Sequence, residues 1–176
     1  MLKITDNYLN EHVQDQLEKK LSTNEFPWFY IPETVSGDLK DLQKLIKNTR
    51  YTHAFKHFVY DNGGSNSSMF DPLDRIFDFR NPIRIKINML TRIPNYNKDC
   101  HNQPHVDMDE EHITKIYYVN DSDGDTFFFD KDYNILERVS PKKGRLVEFK
   151  GNVIHAGSNP IENERRMVIN INESGS

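Results

Sequence analysis

Apolar residues change their spacing about halfway along this chain. From Asn7 to Ser22, Leu9, Val13, Leu17 and Leu21 recur every fourth residue with Glu, Gln and Lys between them, which predicts a helix with one apolar stripe. Phe26 to Pro32 is an aromatic run in which Pro27 and Pro32 prevent helix continuation, so an extended segment is expected. A second helix is predicted from just after Gly37 to about Asn48, with Leu39, Leu42, Leu45 and Ile46 on one face. Asp61 to Ser68 is the strongest turn signal and reads as a surface loop, either a connector or a lip over a substrate entrance. A short helix is expected from Phe70 to Phe79, with Asp71-Pro72 in its first turn.

From Asn81 onward the period becomes two. Ile83, Ile85, Ile87 and Met89 alternate with Arg84, Lys86 and Asn88, the pattern of a half-buried strand. Further strands are predicted at Ile113 to Val119, Thr126 to Phe129, Arg145 to Phe149, Asn152 to Ala156 and Arg166 to Ile171. Turn signals separate them, notably Asn120 to Gly124 and Pro141 to Gly144. Short strands after a helical N-terminal part imply a mostly β, α+β fold. In it an antiparallel double sheet has helices buttressing one face.

At 176 residues the chain has the size of one domain, with a helical part over 1–80 and a β part over 81–176. Hydrophobic residues make up 36% and charged residues 28%, polar but not a disordered composition. A net charge of -4 gives no electrostatic reason to expect nucleic acid as a partner. The single cysteine, Cys100, has no intramolecular partner, so a reducing, cytoplasmic setting is the expectation. No apolar run has the length of a membrane span, and the N-terminus lacks the layout of a signal peptide.

Candidate chemistry centres on His105-Val106-Asp107 and on a distant His155. On a strand, positions two apart point the same way, so His105 and Asp107 can reach one metal while Val106 faces away. Two histidines and a carboxylate can hold one face of a ferrous ion and leave the other open. The same three ligands with water would also make a catalytic zinc site. A plainer reading leaves His105 and Asp107 as a turn pair after Pro104, and His155 as a core or loop histidine. His101 and His112 are taken as decoys, and Cys100 as an incidental thiol near His105. The acidic run of Asp107, Asp109, Glu110 and Glu111 reads as a solvated loop that would favour a basic or neutral substrate.

Five segments in order carry a more specific signal. They are Pro104-His105-Val106-Asp107, Ile116 to Asn120, Pro141-x-x-Gly144-Arg145-Leu146-Val147-x-Phe149, His155-Ala156-Gly157 and Arg166 to Asn172. Together they resemble the core of the prolyl-4-hydroxylase-type Fe(II)/2-oxoglutarate dioxygenases over about residues 83 to 173. Small stand-alone members of that superfamily are frequent in bacteria and bacteriophages.

The resemblance implies a double-stranded β-helix, or jelly-roll, with Fe(II) held by His105, Asp107 and His155 as metal ligands and catalytic residues. It also implies 2-oxoglutarate as cosubstrate, O2 as oxidant and ascorbate as a reductant. The far carboxylate of 2-oxoglutarate needs a fixed cation, best met by a guanidinium. Arg165 and Arg166 point to opposite faces of one strand. Arg166 shares its face with Val168, Asn170 and Asn172 and is favoured; Arg165, on the apolar face of Met167, Ile169 and Ile171, is the alternative. Tyr118 resembles a tyrosine that assists the same carboxylate in HIF-type prolyl hydroxylases, or is a core residue. Asn88 or Leu90 stands where relatives often have another cosubstrate tyrosine. Phe127, Phe128 and Phe129 read as core.

The expected activity is hydroxylation of a C–H bond, most like that of a peptidyl proline or other protein side chain. A zinc hydrolase, or a non-catalytic jelly-roll module for binding or structure, are the alternatives. A peptide or protein substrate is favoured through resemblance alone and a small molecule stays open, because fold does not choose among substrates. Oligomeric state is unreadable.

Overall fold

The computed structural model describes residues 2–33, 46–61 and 63–175. Helix α1 spans Glu11–Leu21, and the Asn10 side chain accepts the Val13 backbone N–H at 3.0 Å, a cap that contributes about 1 kcal/mol. Helix α2 spans Phe70–Phe77 and ends where Asp78 turns left-handed at φ 50°. Of the second predicted helix, Leu39, Leu42 and Leu45 lie outside the described residues.

The strands are β1 (Lys3–Thr5), β2 (Phe29–Ile31), β3 (Ala54–Asp61), β4 (Gly64–Ser65), β5 (Pro82–Thr91), β6 (His112–Tyr118), β7 (Thr126–Phe129), β8 (Ile135–Val139), β9 (Leu146–Lys150), β10 (Ile154–Gly157) and β11 (Arg165–Ser174). They form two antiparallel sheets. The larger has the order β1-β9-β6-β11-β5-β3-β2, with β4 returning on β3; the smaller is β10-β7-β8. This double-sheet, mostly β architecture, with two helices among the described residues, is the jelly-roll expected.

The outer face of the large sheet is apolar by alternation. Ile85 and Ile87 of β5 and Met167, Ile169 and Ile171 of β11 are essentially inaccessible. They cluster with Leu9, Leu17 and Leu21 on the α1 side and with Leu73 and Phe77 of α2. Each such side chain stabilises the fold by about 1.5–3 kcal/mol. The helices therefore clamp the outside of the sheet and leave its inner face toward the small sheet. There Ile116, Tyr118, Val147, Phe149 and Val168 pack with Phe128.

Strands β1, β3, β4 and β8 were not among the elements expected from the sequence. The burial of β3 lacks clean alternation because the β3–β5 register slips between Phe58 and Tyr60. The turn-rich stretch from Asp61 is partly a hairpin, with Tyr60 opposite Ser65 and Asp61 opposite Gly64. Among the described residues no helix is long and apolar enough to cross a membrane.

Candidate active site

The first candidate ligand does not lie on a regular strand. His105 forms one antiparallel bridge with His155, through His105 N–H to His155 C=O at 3.0 Å and the reverse bond at 2.9 Å. Asp107 follows in a bend. That bridge, rather than strand alternation, brings the loop against β10 and sets the two imidazole centroids 4.9 Å apart.

Both imidazoles have one nitrogen committed. The Nδ1 of His105 lies 2.9 Å from the Gln103 carbonyl, and that of His155 lies 3.0 Å from the Val153 carbonyl. A carbonyl only accepts, so each Nδ1 carries the proton and each Nε2 presents a lone pair. Burial holds His105 at about 4, with the His155 charge acting in the same direction; burial also lowers His155. Both rings are therefore neutral near pH 7, the form that binds a metal.

Asp107 is held from several sides. Asn172 Nδ2 donates to its Oδ2 at 3.0 Å and Asn170 Nδ2 at 3.2 Å, while Arg84 Nη2 reaches Oδ1 at 3.2 Å and its backbone carbonyl at 2.9 Å. Burial alone would raise the Asp107 carboxyl. The facing His155, the Lys86 ammonium, His105 and the Asn172 amide outweigh it, and the group stays ionised well below the usual carboxylate range. Ligand atoms of His105, Asp107 and His155 all lie within 4.8 Å of one another, the single such group among the described residues.

These three residues open onto a cavity of about 100 Å³ between the sheets, which Arg166 also lines. The Arg166 guanidinium is buried, donates from Nη2 to Thr126 Oγ1 at 2.7 Å and lies 5.5 Å from the Tyr118 ring centroid. Its Nε has no partner. Among the described residues no carboxylate comes within ion-pair distance of it, so a buried cation faces the cavity without a counter-ion. Gly157 leaves it room: a Cβ there would sit 3.2 Å from Nη1. Arg165 is half-buried and does not line the cavity. Tyr118 faces inward as expected, fully buried, and its hydroxyl shares Thr126 Oγ1 at 2.6 Å, so it reaches Arg166 through the threonine. Asn88 and Leu90 both line the cavity.

The remaining candidates lie elsewhere. His101 is buried against Phe127 and Phe129 with its Nδ1 on the Asn102 carbonyl, and His112 is buried with its Nδ1 on the Glu110 carbonyl. Cys100 is buried and free. Asp109, Glu110 and Glu111 are exposed. Sequence reasoning passed over Lys56, Arg84, Lys86, Thr126, Asn170 and Asn172. The signal was present in the polar face of the half-buried strand, Arg84, Lys86 and Asn88, of which Lys86 and Asn88 line the cavity and Arg84 reaches Asp107.

The donor set suits a ferrous ion: two neutral imidazoles and one carboxylate, all hard or borderline, with no thiolate. The unpartnered Nε of Arg166 suits an anionic organic ligand beside it, whereas the unpartnered Oδ1 atoms of Asn88 and Asn170 can only accept from a donor.

Comparison with known proteins agrees. Residues 91–172 match the family model of the 2OG-Fe(II) oxygenase superfamily. No curated protein sequence matches the chain. Among solved structures, the fold is similar to a Pseudomonas putida prolyl-4-hydroxylase (TM-score 0.56, 13% identity, covering 99% of this chain and 93% of that one). It is similar to a viral collagen prolyl hydroxylase from Paramecium Bursaria Chlorella virus-1 (0.53, 13%, 99% and 96%). A third is a Trichoplax adhaerens prolyl hydroxylase in complex with a hypoxia inducible factor peptide fragment (0.63, 12%, 97% and 82%). The family match spans just under half of the chain, and the solved prolyl hydroxylases share its fold. The cofactors of that superfamily are Fe(II), 2-oxoglutarate and O2, and His105, Asp107 and His155 have the donor chemistry to hold the metal.

Proposed function

We propose that this protein is an Fe(II)- and 2-oxoglutarate-dependent dioxygenase that hydroxylates a C–H bond, with a peptidyl proline or another protein side chain as substrate. The single observation that carries the reading is the meeting of two Nε2 lone pairs and the Asp107 carboxylate beside a buried guanidinium that lacks a counter-ion. When bound, iron and 2-oxoglutarate supply a coupled oxidation in which O2 gives one oxygen atom to the new C–OH and one to succinate, with loss of CO2.

The chain's own residues supply position and charge. His105, Asp107 and His155 are the metal ligands, and the carbonyls of Gln103 and Val153 keep each Nε2 free for the metal. Asn170, Asn172 and Arg84 hold the Asp107 carboxylate ionised and fixed in orientation. Arg166 receives the far carboxylate of 2-oxoglutarate, and Tyr118, through Thr126, sets the guanidinium's orientation. Ile116, Leu90 and Val168 give the cavity apolar walls, so the charged contacts act in a medium poor in water. A peptide substrate is supported by the likeness to prolyl hydroxylases, one of them in complex with a peptide fragment.

The test is substrate-independent turnover. Purified protein with Fe(II), 2-oxoglutarate and air should slowly release succinate, and His105→Ala or Asp107→Ala should abolish the release. Retained release in both variants would overturn the assignment. Zinc retained after anaerobic reconstitution with Fe(II), with no succinate formed, would favour a hydrolase.

A further inference from the structure

The segment from Ile116 to Asn120 brings Tyr118 toward Arg166, and its last residue reaches the same arginine by another route. Strand β6 ends at Tyr118, and its ladder with β11 continues by one bond, from Val119 N–H to Met167 C=O at 3.0 Å. The chain then turns away over Asn120 to Gly124, while β11 extends further, to its start at Arg165. In an antiparallel strand the N–H and C=O of alternate residues face the same neighbour. The Met167 N–H and the Arg165 C=O therefore point to the place that β6 has left. The Asn120 side chain fills it. Its Oδ1 accepts the Met167 N–H at 2.8 Å, and its Nδ2 donates to the Arg165 C=O at 3.0 Å and to the Asp121 C=O at 2.9 Å. An N–H only donates and a carbonyl only accepts, so these partners fix which way the amide points.

The first two of these partners flank one residue. The Arg165 C=O and the Met167 N–H belong to the peptide units on either side of the Arg166 Cα, and planar peptides leave only φ and ψ between them. Gripping both units sets those angles, and with them the direction in which the Arg166 side chain leaves the strand. The guanidinium has little else to hold it: Nη2 bonds Thr126 at 2.7 Å, and Nε has no partner. Space around it is tight. A Cβ on Gly124 would meet Arg166 Cδ at 3.1 Å, and one on Gly157 would meet Nη1 at 3.2 Å. Asn120 is 7% exposed, so losing its amide strands two main-chain groups away from water. The turn itself has a second tie to the loop before β11. The Asp123 carboxylate accepts the N–H groups of Glu162 at 2.9 Å and Asn163 at 3.2 Å.

Resting on the reading that Arg166 receives the far carboxylate of 2-oxoglutarate, we propose that Asn120 is the positioning residue for that arginine. It does not line the cavity and acts through the main chain around Arg166. Without it the start of β11 relaxes, the guanidinium leaves its place and cosubstrate affinity falls. A misplacement of about 1 Å at such a clamp costs about a hundredfold. Metal affinity stays, because Asn170 and Asn172, which hold Asp107, lie where β11 is paired with β6 through the backbone.

The experiment is a double-mutant cycle on the full-length protein. Calorimetry under argon measures Mn(II) binding, then 2-oxoglutarate binding to the Mn(II)-loaded form, for wild type, Asn120→Ala, Arg166→Met and the double variant. Asn120→Ala should weaken 2-oxoglutarate binding about 10- to 100-fold and leave Mn(II) affinity within about twofold of wild type. In the Arg166→Met background the same substitution should change 2-oxoglutarate affinity less than about threefold, because the group it positions is gone. An equal loss in both backgrounds, a parallel loss of Mn(II) affinity, or no loss from Asn120→Ala would overturn the proposal. Asn120→Asp keeps the acceptor for Met167 and loses the donor to Arg165, and it takes the place of the alanine variant if that does not fold. Should neither fold, wild-type protein decides. By linkage, 2-oxoglutarate should slow hydrogen exchange at the Met167 amide at least about threefold, and an unchanged rate would overturn the proposal. Failure of the cosubstrate reading looks different: wild type binds no 2-oxoglutarate, or Arg166→Met binds it as wild type does, and the proposal falls with that reading.

Discussion

Replacing Arg166 by Met separates a ligand-binding arginine from a structural one. The guanidinium is 4% exposed, one Nη2 bond goes to Thr126 and Nε has no partner. Charge-assisted hydrogen bonds contribute about 1.5–3 kcal/mol each, so two bonds to a carboxylate are worth about 3–6 kcal/mol. At 1.4 kcal/mol per factor of ten, Arg166→Met should weaken 2-oxoglutarate binding by about a hundredfold or more. The apo-protein should respond in the opposite direction. A buried cation without a counter-ion is costly to the fold, and exchanging it for an apolar side chain of similar length should leave stability unchanged or raise it by about 1–4 kcal/mol. Thr126 keeps the Tyr118 hydroxyl at 2.6 Å, so the substitution strands no buried donor. Calorimetry of 2-oxoglutarate binding to Mn(II)-loaded protein under argon, paired with urea unfolding of the apo-protein, reads both signs. Arg165→Met is the control and should change neither. Affinity within threefold of wild type, or apo stability reduced by about 2 kcal/mol or more, would refute the reasoning.

Two further outcomes follow from the ligands' surroundings. His105 sits at about 4 in the fold, below its ordinary 6.5, and His155 is lowered too, so the unfolded chain takes up protons first as pH falls. Apo stability should therefore be full above pH 7 and decline as pH drops toward 4, with His105 alone removing about 2 kcal/mol between pH 7 and 5. Urea titrations at stepped pH would show it, and a flat profile over that window would contradict the neutral-imidazole assignment. Asn172→Leu removes the 3.0 Å bond to Asp107 and should weaken Fe(II) or Mn(II) binding about 10- to 100-fold, read by anaerobic metal titration. Unchanged metal affinity would show that the Asn172 amide is dispensable for positioning the carboxylate.

The candidate ligand positions were legible because they depend on local order along the chain. His105 and Asp107 are neighbours in sequence, and His155 lies within a short strand that pairs with Phe127, Phe128 and Phe129. Choosing between Arg165 and Arg166 needed only the two-residue period of β11. In the fold Arg166 lines the cavity with Val168 and Asn170, while Met167, Ile169 and Ile171 pack outside. The helices were legible where one stripe of leucines met a clear cap. Strand β3 was not, since a bulge breaks its alternation and its lysine and histidine positions are buried by long-range pairing.

By itself the sequence determined which residues could bind a metal, which strands alternate and which face of each strand is apolar. Only the tertiary structure decided that the polar face of β5 looks inward. Alternation tells the two faces of a strand apart, but a polar face can meet either solvent or a polar cavity, and the chain pattern is identical in both cases. Closure of the second sheet over the first makes that choice. The same closure brings Asn170 and Asn172, more than sixty residues away, onto Asp107 and sets Lys56 and Lys86 beside the candidate metal centre.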